Sequence, residues 1–224
     1  MPHFIRHSVI ALCLVAGLVG CRKKDDAFEM LTPPATPTAE AGLLPGDKIV
    51  AVDGHPVALP KHWPVPDFTL TERTGQTVKL ADFAGQVWVA DFFYTTCPGP
   101  CPMMSSRLNK VQEVLGTEPG LRLVSISIDP EKDTPEVLKL YAGKFHATDR
   151  WLFLTGPKSD IYTLARDGFK LPLAEPEKPG GQIIHSTRLI LIDQTGTVRG
   201  FYEASTETGT RDLIRDIRSL LEKP

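Results

Sequence analysis

The chain has 224 residues, 42% hydrophobic and 23% charged, with a formal net charge of −2 and an isoelectric point near 6.3. Globular averages are about 45–50% and 25%, so wholesale disorder is excluded. A near-neutral chain without a long Lys/Arg run is no phosphate-backbone binder, and no nucleic-acid partner is expected.

Arg6 precedes an uncharged apolar stretch, Ser8 to Gly20, too short for a bilayer span of about 20 residues. A positive start, a short apolar core and small residues at a cut site mark an export signal over residues 1–20. Its ending, Leu18-Val19-Gly20-Cys21, resembles a bacterial lipobox, in which Cys21 carries lipid and begins the mature chain. A lipid chain holds a protein to a membrane without spanning it. The expectation is an exported bacterial lipoprotein anchored at the periplasmic or outer face. Residues 21–60 are then the lipidated cysteine, a Pro/Thr/Ala-rich tether and a short hairpin, and residues 61–224 the folded domain. The hairpin is expected around Asp47 to Val57, where Asp53-Gly54 supplies the turn. It resembles a hairpin of PDZ domains over too few residues for a PDZ fold.

From Trp63 the pattern is regular. Asp67–Thr71 and Thr77–Leu80 flank Arg73-Thr74-Gly75-Gln76, a hairpin signature. Val87–Tyr94 and Leu121–Ile128 read as strands covered on both faces. Between them Met104, Leu108, Val111 and Leu115 recur at helical spacing, and Gly116 ends that helix. Thr134-Pro135 supplies an N-cap and a first-turn proline for a helix toward Lys144. Trp151–Leu154 is a short strand, and Ser159 is a cap candidate for a helix through Arg166. A Pro/Gly loop covers residues 171–182. Thr187–Asp193 and Val198–Tyr202 form a second hairpin, and Leu213, Ile217, Leu220 and Leu221 mark a closing helix. Strands alternating with helices give an α/β fold: a central mixed β-sheet flanked by helices, with an N-terminal β-hairpin extension.

Cys13 leaves with the signal and Cys21 carries lipid, so Cys97 and Cys101 are the cysteines of the exported fold. In an oxidising compartment such a pair is a local disulfide or a metal pair. Residues four apart share a helix face, with Cα atoms about 6 Å apart, so a disulfide and a metal-bound state are both feasible. Thr96-Cys97-Pro98-Gly99-Pro100-Cys101-Pro102 joins a strand to a helix. The positive end of that helix favours thiolate, a soft ligand for Cu(I), Zn or iron–sulfur clusters. A third ligand is needed, and His55, His62, His146 and His185 remain. His185 ends the Pro/Gly loop just before a strand. In a thioredoxin-like sheet that point approaches the cysteine helix, where ordinary oxidoreductases carry a proline. No proline occurs from Gly180 through Thr187; an imidazole in its place would suit a two-sulfur, one-nitrogen copper site, so His185 is the expected third ligand, the alternative being a solvated strand-end histidine.

Three stretches, Asp91–Pro102, Ser127–Pro135 and His185-Ser186, together resemble the Sco/SenC family, in the family's order from Trp63 to the C-terminus. The resemblance implies a thioredoxin-like fold and copper, as Cu(I) or Cu(II), on Cys97, Cys101 and His185. It also implies supply of copper to, or reduction of the thiols of, the copper A site of cytochrome c oxidase, or service to another periplasmic copper protein by a monomer. Asp129 and Asp133 match the family's acidic motif. They are either a strand-end turn and a pre-cap residue or groups that orient the ligands from behind. Gly99 stands where many relatives have an acidic residue, and Ile184 where relatives often have Asp. The rival enzyme is a metal-free thiol–disulfide oxidoreductase using Cys97 and Cys101 as nucleophile and resolver. A peroxiredoxin would need Thr at 94 and Pro at 90, where this chain has Tyr94 and Ala90. A purely structural lipoprotein would leave the placement of the two thiols unexplained.

Overall fold

The computed structural model describes residues 49–52, 55–174 and 183–222. The export signal, Cys21, the tether, the expected Asp53-Gly54 turn and residues 175–182 of the Pro/Gly loop lie outside the described residues. Strands β1 (Ile49–Val52) and β2 (His55–Ala58) pair antiparallel as the expected hairpin. Strands β3 (Thr69–Glu72) and β4 (Thr77–Lys79) pair around a turn in which Gly75 takes φ +85°, open to glycine because it lacks Cβ. There follow β5 (Val87–Phe93), α1 (Pro100–Leu115), β6 (Leu121–Ser127), α2 (Pro135–Lys144), β7 (Trp151–Thr155) and α3 (Lys158–Thr163). The order closes with β8 (Leu173–Ala174), β9 (Ile184–His185), β10 (Arg188–Ile192), β11 (Val198–Glu203) and α4 (Glu207–Leu221).

Seven strands make one mixed sheet in the order β11-β10-β5-β6-β7-β3-β4. The pairs β5–β6 and β6–β7 are parallel and the others antiparallel. Every residue of β5 is buried, and in β6 only Arg122 is not. That is why these strands are nearly continuous apolar runs, since helices cover both faces of a parallel sheet. Successive strand residues point to opposite faces. Phe92 meets Phe169, beyond α3, edge-on at 5.4 Å, while Phe93 meets Tyr141 of α2 at 5.1 Å on the other face. Ser105 of α1 shares a 3.0 Å hydrogen bond with Tyr141, so α1 lies on the α2 side.

Local chemistry sets the helix ends. Pro100 opens α1, where a missing N–H costs nothing. The Thr134 hydroxyl accepts the Val137 N–H at 3.5 Å and Pro135 begins α2. The expected Ser159 cap is not used. Pro157 holds the cap position of α3, and the Ser159 hydroxyl inside the first turn donates to Asp160. From Leu164 to Gly168 the helix widens to a π turn. In the described residues at the two sides of the Pro/Gly loop, β8 pairs with β9, Leu173 opposite His185. Pairing on this side therefore starts before the expected Thr187.

The topology places the site. α1 leaves the end of β5, and β10 lies antiparallel beside β5 with Ile190 opposite Ala90. Followed back along that register, the residues before β10 come level with those after β5. His185 and Cys97, far apart in sequence, meet at this sheet end.

Candidate metal centre

Beyond β5 the chain turns sharply, with the Cys97 N–H donating to the Tyr94 carbonyl at 3.2 Å. Cys97 then precedes Gly99, the cap residue of α1, and Cys101 sits in the first helical turn. Their sulfurs are free thiols in this structure, with Cys97 7% and Cys101 0% exposed. The His185 ring approaches from β9, its Nε2 3.3 Å from the Cys101 Sγ. Its Nδ1 lies 2.9 Å from the Ser186 carbonyl. A carbonyl only accepts, so Nδ1 carries the proton and Nε2 turns its lone pair to the sulfurs.

These three ligand atoms lie within 4.8 Å of one another. Two thiolates held at about 2.3 Å by one ion can be no more than about 4.6 Å apart. Small rotamer adjustments therefore bring the set onto a single ion. Two soft sulfurs and one imidazole suit Cu(I), Cu(II) and Zn. Among the described residues this is the one such cluster of His, Cys, Asp and Glu. The residues present fit a thiophilic metal.

The two sulfurs differ. Burial raises the Cys97 thiol, but the N–H groups of Cys101 and Gly99, the Cys101 thiol and the Tyr94 hydroxyl outweigh it, so Cys97 ionises more readily than an ordinary cysteine. Burial pushes Cys101 far up. The helix end therefore favours thiolate at Cys97, not at both cysteines. His185 is lowered by burial, against the pull of the Ser186 and Phe92 carbonyls, which favours the neutral, ligating imidazole. The Tyr94 ring stands against the His185 ring at 5.6 Å and 80°. Burial first, then the Cys97 thiol, push its hydroxyl up to about 12, so it keeps its proton at neutral pH.

The acidic motif divides. Asp133 is fully buried and accepts from the Thr95 N–H at 3.0 Å, the Thr95 hydroxyl at 2.5 Å and the Ser127 hydroxyl at 2.6 Å. It pins the turn two residues before Cys97 to the end of β6. Asp129 instead accepts from Lys132 at 2.8 Å and shapes the strand-end turn. Neither carboxylate holds His185, whose Nδ1 has the Ser186 carbonyl. Cys21 lies outside the described residues. Two residues went unread in the sequence. One is Tyr94. The other is Asp91, fully buried on β5 with neither oxygen in a hydrogen bond of good geometry. Burial lifts it to about 7, with the Ser125 hydroxyl opposing.

Residues 60–222 match the family model described as SCO1/SenC. The chain belongs to the SCO1/SenC family. A SCO1/SenC family lipoprotein from Bacillus anthracis is similar at 38% identity and TM-score 0.67, over 71% of this chain and 96% of that one. BsSco, described as a member of the Sco family of cytochrome c oxidase assembly proteins, is similar at 35% and 0.63, over 72% and 95%. Arabidopsis thaliana ScoI with copper bound is similar at 25% and 0.58, over 69% and 98%. With these neighbours the sheet and its helices are a thioredoxin-like fold. The peroxiredoxin reading falls away.

Proposed function

We propose that this Sco protein binds one copper ion through Cys97, Cys101 and His185, and hands it to a copper protein outside the cytoplasm. The observation that carries the reading is the convergence of two sulfurs and an unprotonated imidazole nitrogen from separate elements. The solved relative with copper bound supports the choice of metal. The family's part in cytochrome c oxidase assembly, as described for BsSco, supports the copper A site as destination. Lipid on Cys21 is the proposed tether; no described helix is long and apolar enough to cross a membrane, and a similar protein is described as a lipoprotein.

The chain's own residues supply an ordered exchange. Cys97, the more exposed and more acidic sulfur, meets an incoming ligand first. Cys101 and His185 lie deeper and release last. The same asymmetry favours a second reading, reduction of the partner's thiols. Cys97 thiolate attacks a partner disulfide, the freed partner thiol leaves, and Cys101 displaces the second partner thiol as Cys97–Cys101 closes. Two electrons pass from this dithiol to the partner's disulfide. Competition against a Cu(I) chelator tests the main reading. Reduced protein should take up one equivalent, and a Cys97→Ser, Cys101→Ser double variant none. Equal uptake by both would refute it.

A further inference from the structure

Helices α1 and α4 run side by side in the same direction. Arg107 meets Glu207 at 3.7 Å near their starts, and Leu221 comes against Gly120 beyond the end of α1. Between them lies an open groove of about 1170 Å³, lined on α4 from Glu207 to Glu222. At about 1.5 Å per residue that wall is about 22 Å long, or about four helical turns. Small-molecule sites are clefts of about 300–1,000 Å³ that enclose most of their ligand, so an open trough of this length suits a chain segment instead. Its floor is apolar, with Met103 and Ile214 half-buried and packed against the core. Its α4 wall is cationic, because Arg211, Arg215 and Arg218 recur at helical spacing and share one face. Arg215 is paired with Asp212 and Asp216 at 3.0 and 2.8 Å. Arg211 and Arg218 are exposed and form no ion pair among the described residues. The chain as a whole carries a formal charge of −2, so this stripe is not a share of a generally basic surface.

The groove begins at the metal end of the sheet. Met103 stands two residues past Cys101, in the same first turns of α1. The Arg107 side chain donates to the Ala204 carbonyl at 3.3 Å, next to Glu203, which lies opposite Arg188, three residues after His185. We propose that this groove docks the copper-receiving partner through an acidic amphipathic helix, its apolar edge on Met103 and Ile214 and its carboxylates facing Arg211 and Arg218. A helix laid with its apolar face in a hydrophobic groove is a recurring recognition mode. A concave trough with an apolar floor fits that shape, where a flat bilayer surface would touch only the rim. Opposite charges speed encounter and fix the register of the two molecules. A partner seated along α1 then has its own site beside Cys97, the sulfur that meets an incoming ligand first.

The identity of the partner rests on the copper reading above. The test is calorimetric titration of the metal-free full chain with the soluble copper A domain of a cytochrome c oxidase, at low and at physiological salt. The wild type should bind, and more weakly at the higher salt, where exposed charges are screened. An Arg211→Glu, Arg218→Glu double variant should bind about tenfold more weakly at low salt, since it sets like charges against the partner. A Lys79→Glu, Lys139→Glu double variant makes the same change of charge at exposed sites outside the groove, and should stay within about twofold of wild type. Equal affinities of the two double variants, or no binding by the wild type, would overturn the proposal. So would a groove variant that keeps the domain but loses phosphatidylglycerol vesicles, which would make the groove a membrane face. The chelator competition described above involves no partner, so failure of the copper reading appears there and failure of the groove appears here.

Discussion

Asp133 is the residue whose replacement most directly separates scaffold from ligand. Its buried carboxylate accepts three hydrogen bonds, two from Thr95 and one from Ser127. Each bond to a charged group contributes about 1.5–3 kcal/mol, and a buried donor left unpaired costs about 1–3 kcal/mol. Thr95 is half-buried and water can take over there, but Ser127 is fully buried. Asp133→Ala should therefore cost about 3–5 kcal/mol. Asp133→Asn keeps the volume and one acceptor oxygen but presents an amide to donors, and should cost about 2–3 kcal/mol. Because Thr95 leads into Cys97, copper affinity should fall about 10–100-fold, as when the groups behind metal ligands are replaced. Asp129→Asn is the contrast. Its partner Lys132 is 64% exposed, so that change should cost under about 1 kcal/mol. Urea unfolding and chelator competition on the three variants measure both effects. Asp133→Asn with wild-type stability and affinity would refute the reasoning.

His185→Ala should abolish Cu(II) binding while Cu(I) persists more weakly and the Cys97–Cys101 disulfide still forms. An unchanged Cu(II) titration would remove His185 from the site. Burial pushes the Asp91 carboxyl up to about 7 in the folded protein, from 3.8 for an ordinary aspartate. Between those values the folded state holds a proton that the unfolded chain has released, so this carboxyl erodes stability as pH rises from about 4 to 7. The shift corresponds to about 4 kcal/mol. Asp91→Asn should gain stability relative to wild type by about that amount between pH 4 and pH 8, and a constant difference in urea midpoints at the two pH values would count against it. Gly99→Glu meets open space at the added Cβ and sets a negative charge beside Cys97, so alkylation of Cys97 at neutral pH should slow several-fold. A faster reaction would contradict the electrostatic account.

Apolar runs and helical spacing were legible wherever burial is complete. β5, β6, α1 and α2 follow directly from Val87–Tyr94, Leu121–Ile128, Met104–Leu115 and Thr134-Pro135. Short pairings were not. β8 and β9 have two residues each, too few for any period, and their pairing across the loop depends on tertiary contact. The Ser159 cap failed because Pro157, with φ fixed near the helical value, already turns the chain. At the site, Cys97 and Cys101 announce themselves by spacing, and His185 by its place before a strand. Tyr94 gave no signal beyond lying three residues before Cys97. Asp91 did give one, a lone carboxylate inside a buried apolar strand. The division between Asp129 and Asp133 was out of reach, since both are acids in one turn and the hydrogen bonds alone tell them apart.

X-ray absorption at the copper edge of the fully reduced, copper-loaded protein tests the central claim most directly. The account predicts one copper per chain with two sulfur neighbours and one imidazole nitrogen, the nitrogen signal lost in His185→Ala and all binding lost once Cys97 and Cys101 are oxidised to a disulfide. Copper bound with no sulfur neighbour, or held equally well by the oxidised protein, would contradict it.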